Sequence, residues 1–585
     1  MTNRYCATGN FEVVYTKSMP LSNIIKEVAN KLVGRRLFYV CRDVERAEGL
    51  DFHQPGIYII TNKNSYSSKL AKRFKNIILI DNPRPLDTRE LLTRKKTLSL
   101  LKKGDFVLVF KNNIYIEELC ADHGWALLNP SAKFCNEVEE KISQVRWLGP
   151  LASHLPSHRI DLCANLVWKG KPFIVQFNRS HTGLGTILVE SKKQLQEIRE
   201  KFPRRDVRVT EYIKGPLFTN NNVVWGNRVF VGNISYQITG LKPFTDMPFA
   251  TIGNDWSMPR KILTEEQAAQ YKKIAIEVGE RLASQGWKGL YGIDAVIDEA
   301  GGQVYLVEVN ARQPASASFE SQLQELAMAK AAPKKRLGGL MKPRPAATTF
   351  QAHVAALLDV PPDDYRLQAI TNGAQIVQRV TLNIDELEIP RIKAVQSFNI
   401  IMYQNVKLGT DLIRVQSESG LMEKHNIFNE VGMSILVGII SAHKNMIWNR
   451  PRAGVILIKD DKILLMKRNK YGNEYFAMPG GTVEPNENFR VTAMRETKEE
   501  TNLDFEIDES KKIIAIASPR REHYFFGKNI SGKEFLGGPE QARNNPNNSY
   551  QLEWVEVEKL GQTHLLPETL KAKLIKRIST GFPRT

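Results

Sequence analysis

The C-terminal part of the chain contains the stretch that decides its fold, which reads Gly481-Thr482-Val483-Glu484-Pro485-Asn486-Glu487 and continues to Arg495-Glu496-Thr497-Lys498-Glu499-Glu500-Thr501-Asn502-Leu503. This pattern predicts a loop followed by a helix. Glu496, Glu499 and Glu500 are three and four residues apart, so they share one face of that helix. Three crowded carboxylates repel one another, and a divalent cation such as Mg²⁺ or Mn²⁺ relieves the repulsion. Taken alone, the three glutamates are also compatible with an ordinary solvated acidic face.

The complete spacing resembles the Nudix box. The family's glycine corresponds to Gly481, its first glutamate to Glu487, its Arg-Glu pair to Arg495 and Glu496, and its Glu-Glu pair to Glu499 and Glu500, all at the right intervals. Thr497 replaces the usual aliphatic residue, and Asn502 replaces the usual late glycine. Threonine is small enough to pack, and asparagine tolerates the left-handed conformation that glycine would adopt. The resemblance covers roughly residues 449–580, with a closing strand at 553–555 and a terminal helix after 565–567.

The resemblance implies an α/β/α sandwich that hydrolyses a nucleoside diphosphate linked to another group. Glu496, Glu499 and Glu500 would be both the metal ligands and the catalytic residues, because a bound metal activates water and neutralises charge on the diphosphate. Arg495 and Glu487 would brace the loop and the helix.

Two alternatives stay open for this part of the chain. Glu540, in a glycine-rich loop, is either an additional acid or an ordinary surface glutamate. The same domain also occurs in non-catalytic sensors, so a nucleotide-sensing role is the alternative to hydrolysis.

A second group of oxygen-bearing side chains lies on a predicted β-hairpin formed by residues 291–297 and 303–310. With a turn centred on residues 300–301, Asp294 lies nearly opposite Glu308. Glu308 and Asn310 are two residues apart on one strand, so they point to the same side. The three side chains would form a cradle for Mg²⁺ and a triphosphate, although a polar outer face is the commoner explanation for a lone hairpin.

The segment around this hairpin resembles the metal-binding end of an ATP-grasp domain, because Glu308, Asn310 and Arg312 form the pattern Glu-x-Asn-x-Arg after Gly292-Ile293-Asp294. The resemblance covers about residues 30–320, and reaches 440 if the following unit is the family's trailing subdomain. It implies that Asp294, Glu308 and Asn310 hold the metal. It also implies that ATP is contacted by four parts of the chain. These are an upstream lysine (Lys141), a strand (Gln176), the glycine loop after that strand (Gly183 and Gly185) and a hinge strand (Glu211, Tyr212 and Ile213).

Two positions differ from the ATP-grasp pattern. Gln176 stands where the family usually has a lysine for the phosphates, and Leu217 stands where it has an acid for the ribose. Lys169 or Lys171 could supply the missing positive charge.

The ATP-grasp resemblance implies a two-step ligase reaction. ATP phosphorylates a carboxylate, and a nucleophile, usually an amine, then displaces phosphate from the acyl phosphate. Arg312 would be catalytic by stabilising the negative charge that develops. His154, His158 and His181 are expected to be surface or packing histidines, because this chemistry needs mainly positioning and charge neutralisation.

The remaining patterns predict the architecture. Four short apolar runs between residues 36 and 130 alternate with helical segments, which favours a parallel α/β layer. A capping box at Thr264 predicts a helix that ends near Gly286, and Asp460-Asp461 predicts a hairpin turn. We expect a multidomain α/β and α+β protein with an N-terminal α/β domain (1–130), an ATP-grasp nucleotide-binding domain (131–345), a trailing ATP-grasp subdomain (346–445) and a Nudix domain (446–585).

Composition limits the function classes. The 585 residues are 42% hydrophobic and 25% charged, which is ordinary for soluble domains. The sequence shows no long apolar run and no apolar segment near its start, so we expect no membrane partner and no secretory signal. Five scattered cysteines without a CxxC pair favour the cytoplasm.

The net charge of +19 suits polyanionic ligands. Because the basic residues are dispersed and accompany no nucleic-acid motif, nucleic-acid binding is the less favoured alternative. The expected partners are a small carboxylate, an amine and a nucleoside diphosphate derivative; the sequence gives no oligomeric state.

Overall fold

The computed structural model describes residues 23–178, 185–331, 345–381, 399–403, 407–442, 451–470, 473–483, 487–517, 520–544 and 548–579. The chain divides into two compact units. Unit 1 comprises Met1–Gly240, Phe244–Glu386 and Ala394–Met433, and unit 2 comprises Leu241–Pro243, Leu387–Lys393 and Ser434–Thr585. The expected division into four domains stays a prediction.

Unit 1 begins with a five-stranded parallel sheet in the order β3-β2-β1-β4-β5. The strands are apolar because helices cover both faces of such a sheet, and the four predicted apolar runs are confirmed as β1 to β4. The elements are α1 (Asn23–Lys31), β1 (Leu37–Val40), β2 (Ile57–Asn62), α2 (Ser65–Arg73), β3 (Ile77–Ile80), α3 (Thr88–Leu92), α4 (Lys95–Leu100), β4 (Phe106–Val109), α5 (Ile114–Asp122) and β5 (Ala126–Leu127).

A four-stranded antiparallel sheet follows in the order β6-β9-β7-β8. Its core joins Val175 and Val207 to Leu195 and Ile198 of the covering helix α8. The elements are α6 (Ala132–Glu139), α7 (Lys141–Leu148), β6 (His158–Leu162), β7 (Phe173–Phe177), β8 (Thr186–Val189), α8 (Lys192–Lys201) and β9 (Asp206–Glu211).

The third layer of unit 1 is a nine-stranded sheet in the order β15-β14-β10-β12-β13-β18-β20-β19, with β11 paired to β10. The elements of this part of the chain up to residue 331 are β10 (Leu217–Trp225), β11 (Arg228–Phe230), β12 (Ser235–Thr239), β13 (Thr251–Asp255), α9 (Pro259–Ile262), α10 (Glu265–Ser284), β14 (Gly289–Ile297), β15 (Val304–Asn310) and α11 (Ala317–Ala331). The elements from residue 345 onward are β16 (Ala346–Ala347), α12 (Thr349–Leu357), β17 (Arg366–Leu367), β18 (Ala374–Arg379), β19 (Asn399–Met402), β20 (Asp411–Ser417), β21 (Met422–Lys424) and β22 (Ile427–Phe428). Helix α13 (Glu430–Ala442) contains the boundary between the two units, after Met433.

Helix α10 confirms the predicted capping box. The Thr264 side chain accepts a hydrogen bond from the Gln267 backbone, and the Gln267 side chain accepts one from the Thr264 backbone. Ile274, Val278 and Leu282 are fully buried, as the predicted apolar stripe requires.

Unit 2 contains a sheet in the order β27-β23-β29-β28 and a second sheet in the order β24-β25-β26-β31, to which β30 adds by pairing with β25. Helix α14 packs against β23 and β27, whereas α16 packs against β28 and β31. The elements are β23 (Arg452–Ile456), β24 (Ile458–Lys459), β25 (Lys462–Lys470), β26 (Asn473–Ala477), β27 (Gly480–Thr482), α14 (Phe489–Thr501), β28 (Asp504–Ala517), β29 (Arg520–Ser531), α15 (Gly538–Arg543), β30 (Asn548–Glu556), β31 (Leu565–Leu566) and α16 (Glu568–Ser579).

The hairpin expected at the start of unit 2 is shorter than its sequence pattern. Asp460 and Asp461 form the turn, both with positive φ, which matches the twist of a tight hairpin. However, in the first arm of this hairpin only Ile458 and Lys459 are paired with β25 in the ladder. Residues 452–456 pair with β27 and β29 instead, because a fully apolar run can join any neighbouring strand and alternation alone does not select one.

The mixed α/β class expected from the sequence is confirmed. Within the described residues, no helix is both long enough and apolar enough to cross a bilayer.

Candidate functional site

The three residues of the predicted metal cradle of unit 1 lie on the β14–β15 hairpin. Asp294 pairs directly with Glu308, and Gly292 pairs with Asn310. A register shift after Asp294 leaves Val307 as the extra residue of a β-bulge. Asn310 Nδ2 donates to Asp294 Oδ2 over 3.3 Å. Three oxygen-bearing side chains therefore share one end of the hairpin, as the sequence predicts.

Two buried cations lie beside this cradle. Lys141, the first residue of α7, places Nζ 2.8 Å from Glu308 Oε1. Arg208, on β9, donates from Nε to Gln176 Oε1 over 2.8 Å and from Nη2 to the bulged Val307 carbonyl over 3.1 Å. Both residues are almost inaccessible to solvent, with Lys141 4% and Arg208 1% exposed. Two positive charges are therefore buried beside the cradle.

These charges shift one another's protonation equilibria. Burial lowers the pKa of Lys141, the Arg208 charge lowers it further, and Glu308 acts in the opposite direction. Burial also lowers the pKa of Arg208, to about 10. Burial and the Glu308 charge raise the pKa of Asp294 to about 6. For Glu308, burial raises the pKa, but Lys141 and Arg312 outweigh it and the pKa lies below its usual range.

Arg312 is held at the same end of the hairpin by a carboxylate from α6. Its Nη1 contacts Glu139 Oε1, and Lys111 Nζ lies 2.7 Å from Glu139 Oε2. The Arg312 side chain is 21% exposed, so it is partly open to solvent at this end of the hairpin. This position suits stabilisation of negative charge on a reacting group.

The predicted nucleotide contacts fall on β7, β9 and the loops next to them. Gln176 lies on β7, and Gly185 accepts a hydrogen bond from the Phe177 backbone. Glu211 is the exposed last residue of β9, followed directly by Tyr212 and Ile213. Gly183 and His181 lie outside the described residues.

A buried positive charge beside Gln176 belongs to Arg208. Lys169 and Lys171 are exposed, whereas Arg208 is the direct β-sheet partner of Gln176. Sequence inspection missed Arg208 because nothing in the local pattern Asp206-Val207-Arg208-Val209 distinguishes it from a strand arginine facing solvent. Leu217 begins β10, where it pairs with Val296.

Two of the three histidines make local contacts. His154 Nε2 lies 2.7 Å from Glu277 Oε2, and His158 Nδ1 lies 2.9 Å from the Pro156 carbonyl. Neither contact involves the cradle.

The donor set of the cradle fits a hard divalent cation. Asp294, Glu308 and Asn310 offer oxygen ligands of the kind that Mg²⁺ and Mn²⁺ prefer. Asp294 Oδ1 is buried, and no described residue forms a hydrogen bond of good geometry with it. A cation ligated by that oxygen would satisfy it.

In unit 2, α14 carries the predicted acidic face. Asn488 caps its start by accepting a hydrogen bond from the Val491 backbone. Asn502 ends it in the left-handed conformation at φ 59°, as expected for a residue that replaces glycine. Thr497 is fully buried, and its hydroxyl accepts a hydrogen bond from the Val455 backbone over 3.0 Å, so this departure from the family pattern fits the fold.

Arg495 braces the loop against the helix, as the resemblance implied. Its Nε and Nη2 each donate to Glu487 over 2.8 Å, a bidentate pair. Its Nη1 lies 2.8 Å from Glu496 Oε1 and 3.5 Å from Glu499 Oε2. The charges and hydrogen bonds of these glutamates raise the pKa of Arg495.

The three helical glutamates differ in their surroundings. Glu500 is buried and accepts a hydrogen bond from the Gly480 backbone over 2.8 Å, whereas the Glu499 side chain is 46% exposed. Burial raises the pKa of Glu500 to about 8, with Arg452 opposing the shift and Glu540 adding to it. Burial also raises the pKa of Glu496.

Arg452, at the start of β23, is a second residue that sequence inspection missed. Its Nε donates to the Gly480 carbonyl over 3.0 Å, which fixes the backbone that in turn contacts Glu500. Gly481 leaves room for the Glu496 carboxylate, because a Cβ at position 481 would lie 2.0 Å from Glu496 Oε2.

Glu540 lies close to this acidic face. The Gly537 backbone, at the start of its loop, donates to the Glu500 carbonyl over 3.2 Å, and the Glu540 charge acts on Glu500. The additional-acid interpretation is therefore compatible with its position.

Across the part of the chain that the structure describes, no three or more His, Cys, Asp or Glu side chains are arranged to hold a metal ion. The cradle of unit 1 has two carboxylates and an amide. In unit 2, the three glutamates contact Arg495 or Gly480, as described above. The metal-ligand assignments in both units stay predictions.

Comparison with solved structures finds likenesses across the larger, N-terminal share of the chain. They include the carboxyaminoimidazole ribonucleotide synthase from Aspergillus clavatus complexed with ATP, at 14% identity, 70% of this chain, 99% of that chain and a TM-score of 0.47. The N5-carboxyaminoimidazole synthetase from Staphylococcus aureus complexed with ADP matches at 12% identity, 70% and 98% coverage and 0.47. The L-amino acid ligase from Bacillus licheniformis matches at 14% identity, 66% and 93% coverage and 0.46.

The C-terminal part matches a family profile. The NUDIX domain profile covers residues 448–578, which contain α14, its glutamates and both sheets of unit 2. Residues 448–578 of this chain therefore form a NUDIX domain.

Proposed function

We propose that unit 1 is an ATP-dependent ligase of the ATP-grasp type that joins a carboxylate to an amine through an acyl phosphate. The observation that carries the proposal is that two buried cations contact the hairpin of the oxygen cradle. Lys141 contacts Glu308, and Arg208 contacts the Val307 carbonyl. Neighbouring buried cations repel each other, and an anionic polyphosphate relieves that repulsion. The adjacent oxygen ligands suit the divalent cation that accompanies such a phosphate chain.

Each residue of the site has a role in this proposal. Lys141 and Arg208 bind phosphate oxygens, while Glu211, Tyr212 and Ile213 present the end of β9 to the adenine. Asp294, Glu308 and Asn310 would hold Mg²⁺ or Mn²⁺, which supplies neutralisation of the phosphate charge. Arg312 stabilises the negative charge of the acyl phosphate and of the tetrahedral species that follows it.

The test uses the full chain with ATP, Mg²⁺ and pools of carboxylates and amines, with ADP release and new product masses measured together. We expect ADP release that needs a carboxylate and that disappears in Asp294→Ala and in Glu308→Ala. Glu299→Ala, in the exposed turn of the same hairpin, is the control. ADP release that is unchanged in both cradle variants would contradict the ligase proposal.

We further propose that unit 2 hydrolyses a nucleoside diphosphate linked to another group, with Mg²⁺ or Mn²⁺ held by Glu496, Glu499 and Glu500. The supporting observation is the complete acidic face on α14 beside the loop that contains Gly480 and Gly481. Glu499 is the most exposed of the three and lies within reach of solvent for water activation.

To test this second activity, a panel of nucleoside diphosphate derivatives is incubated with Mg²⁺ and the full chain. The phosphate-containing products of cleavage are then measured. We expect Glu499→Gln to lower the rate by about a hundredfold or more, and Glu506→Gln, a surface variant on β28, to leave it unchanged. Nucleotide binding without cleavage across the panel would favour the sensing module instead.

A further inference from the structure

A row of polar side chains crosses the nine-stranded sheet, starting at the metal cradle. Asp294 pairs with Thr219, and Thr219 pairs with Ser235. Gln237, two residues after Ser235 on β12, points to the same face. From Gln237 the row continues through direct partners on the next strands, which are Asn254, Gln375 and Gln416. Because direct partners point to the same face of a sheet, these residues form one continuous polar surface, which we call the polar row.

The polar row is buried but hydrogen-bonds only partly within itself. Gln375 Nε2 donates to Asn254 Oδ1, and Asn254 Nδ2 donates to Ser235 Oγ, each over 3.2 Å. The side chains of Thr219 and Gln237 also hydrogen-bond to Asp294, and Gln416 Oε1 accepts from Asn399 Nδ2 over 2.8 Å. Each amide group has two donor hydrogens and two acceptor lone pairs, so a polar ligand on this face would use the donors and acceptors that remain.

The same face is linked to the carboxyl end of β1. Arg414, two residues before Gln416 on β20, donates from Nη1 to Gln375 Oε1 over 3.0 Å and from Nε to Tyr403 Oη over 2.9 Å. Tyr403 Oη in turn donates to Glu45 Oε1 over 2.6 Å. Glu45 lies in the short 3-10 helix Val44–Ala47 that follows β1. The polar row therefore faces the end of the parallel sheet.

That end of the sheet is a topological switch point. The chain leaves β1 toward β2 on one side and returns to β4 on the other, and ligands of open α/β sheets bind in the crevice formed there. Arg46 lies in this crevice, with its guanidinium carbon 4.5 Å from the centre of the Phe110 ring just after β4. The next residue, Lys111, contacts Glu139, the carboxylate that also holds Arg312.

Two guanidinium groups of this region have unused donors. Arg46 Nη1 and Arg379 Nη1 are buried, and no described residue accepts a hydrogen bond from either. Arg379 is 6% exposed, and its Nε lies 3.8 Å from Asp411, which also contacts Arg414. Buried donors without acceptors are destabilising, so an anionic ligand group would satisfy both arginines.

We propose that the acid substrate of unit 1 carries a second anionic group, which Arg46 and Arg379 bind. The reacting carboxylate lies beside Arg312, and the polar part of the substrate between its two anionic groups lies on the polar row. This inference rests on the proposed ligase function. The second group is a carboxylate or a phosphate, since a guanidinium binds both through the same pair of N–H groups.

The experiment compares acids that differ only in the second charge. Dicarboxylic acids of four to eight carbons and ω-phosphorylated acids are paired with their monomethyl esters and their unphosphorylated forms. ADP release is measured with the full chain, ATP, Mg²⁺ and an amine pool, and binding of each acid is measured by thermal shift in the presence of ADP and Mg²⁺. The two dianion series distinguish a carboxylate from a phosphate.

We expect dianions to have a kcat/KM about tenfold to a hundredfold above that of their monoanionic partners. Arg46→Met and Arg379→Lys should remove most of this preference by raising the KM for the acid, while the KM for ATP stays unchanged. Arg84→Met, a surface variant on the same unit, is the control. Since Arg379 is buried, the partly exposed Arg46 provides the variant that keeps the fold intact.

Equal turnover of dianions and monoanions would overturn the inference. So would a protein that binds ATP but no dianion of either series, or a loss of preference in Arg84→Met as large as in Arg46→Met. Failure of the unmodified chain to bind ATP would instead contradict the proposed function, so the two failures are distinguishable.

Discussion

Arg208 Nε donates a hydrogen bond to Gln176 Oε1 over 2.8 Å, and the two residues are direct partners on strands β9 and β7. The position that the ATP-grasp resemblance assigns to a lysine is thus neutral, while its neighbour on the next strand is charged. The charge of Arg208 acts on both Lys141 and Glu308.

This relationship predicts that the positive charge of Arg208 can be replaced by one at position 176. Arg208→Gln should raise the KM for ATP by about tenfold to a hundredfold, because a charge-assisted hydrogen bond to phosphate contributes roughly 1.5–3 kcal/mol. The double variant Gln176→Lys with Arg208→Gln should recover much of the affinity, since a lysine at 176 places a cation in the same buried space. Steady-state kinetics with ATP as the varied substrate measure both effects.

Arg204→Met is the control for this pair, because Arg204 is exposed just before the same strand. An Arg208→Gln variant with unchanged ATP affinity, in a protein that still releases ADP, would show that the charge does not contact the nucleotide.

A second prediction concerns Gly481. A Cβ at this position would lie 2.0 Å from Glu496 Oε2, so alanine must displace that carboxylate. Because the carboxylate is at the free end of a side chain, we expect little change in stability but about a hundredfold lower hydrolysis by unit 2. Gly561→Ala is the matched control variant, because a Cβ at position 561 would meet no atom within 4 Å. Equal loss of hydrolysis in both variants would contradict the explanation.

A third prediction concerns the end of α14. Asn502 has φ 59°, which an L-residue without a local polar side chain adopts at a cost of about 1–2 kcal/mol. We expect Asn502→Ala to lower the free energy of unfolding of unit 2 by about 1 kcal/mol, and Asn502→Gly to leave it unchanged or slightly higher. Thermal denaturation of the two variants side by side tests this order, and the reverse order would rule out the left-handed cap as the cause.

A fourth prediction concerns pH. Burial raises the pKa of Glu320 to about 7 from an ordinary value of 4.5, although hydrogen bonds from Asn221 and Asn233 oppose the shift. Between these values the folded state keeps a proton that the unfolded state has released, so stability falls as pH rises from about 4.5 to 7. The upper limit of the loss is about 3 kcal/mol.

Urea denaturation followed by tryptophan fluorescence at pH 5 and pH 8 measures this loss. Glu320→Gln should make the two free energies of unfolding more nearly equal, because it removes the titrating group. Glu137→Gln, at an exposed position, should keep the full difference. A pH dependence that is identical in both variants would assign the effect to other groups.

Local patterns were sufficient for several features of the fold. The capping box of α10, the left-handed end of α14 and the pairing of Asp294 with Glu308 each depend on residues close together in sequence. Helical and strand periodicities therefore predict which side chains share a face. The spacing of Glu496, Glu499 and Glu500 belongs to the same class of evidence.

The tertiary structure alone decided the contacts between distant segments. The extra residue Val307, whose carbonyl binds Arg208, and the joining of β18 and β20 to the sheet of the cradle required the complete set of strand partners. An apolar or mixed strand contains no local instruction about its neighbour, because backbone hydrogen bonding is the same for every partner. Sequence thus determined which residues share a helix face or a hairpin, whereas packing determined that Arg208 lies beside Gln176 and the bulged Val307, and that Arg379 lies beside Asp411.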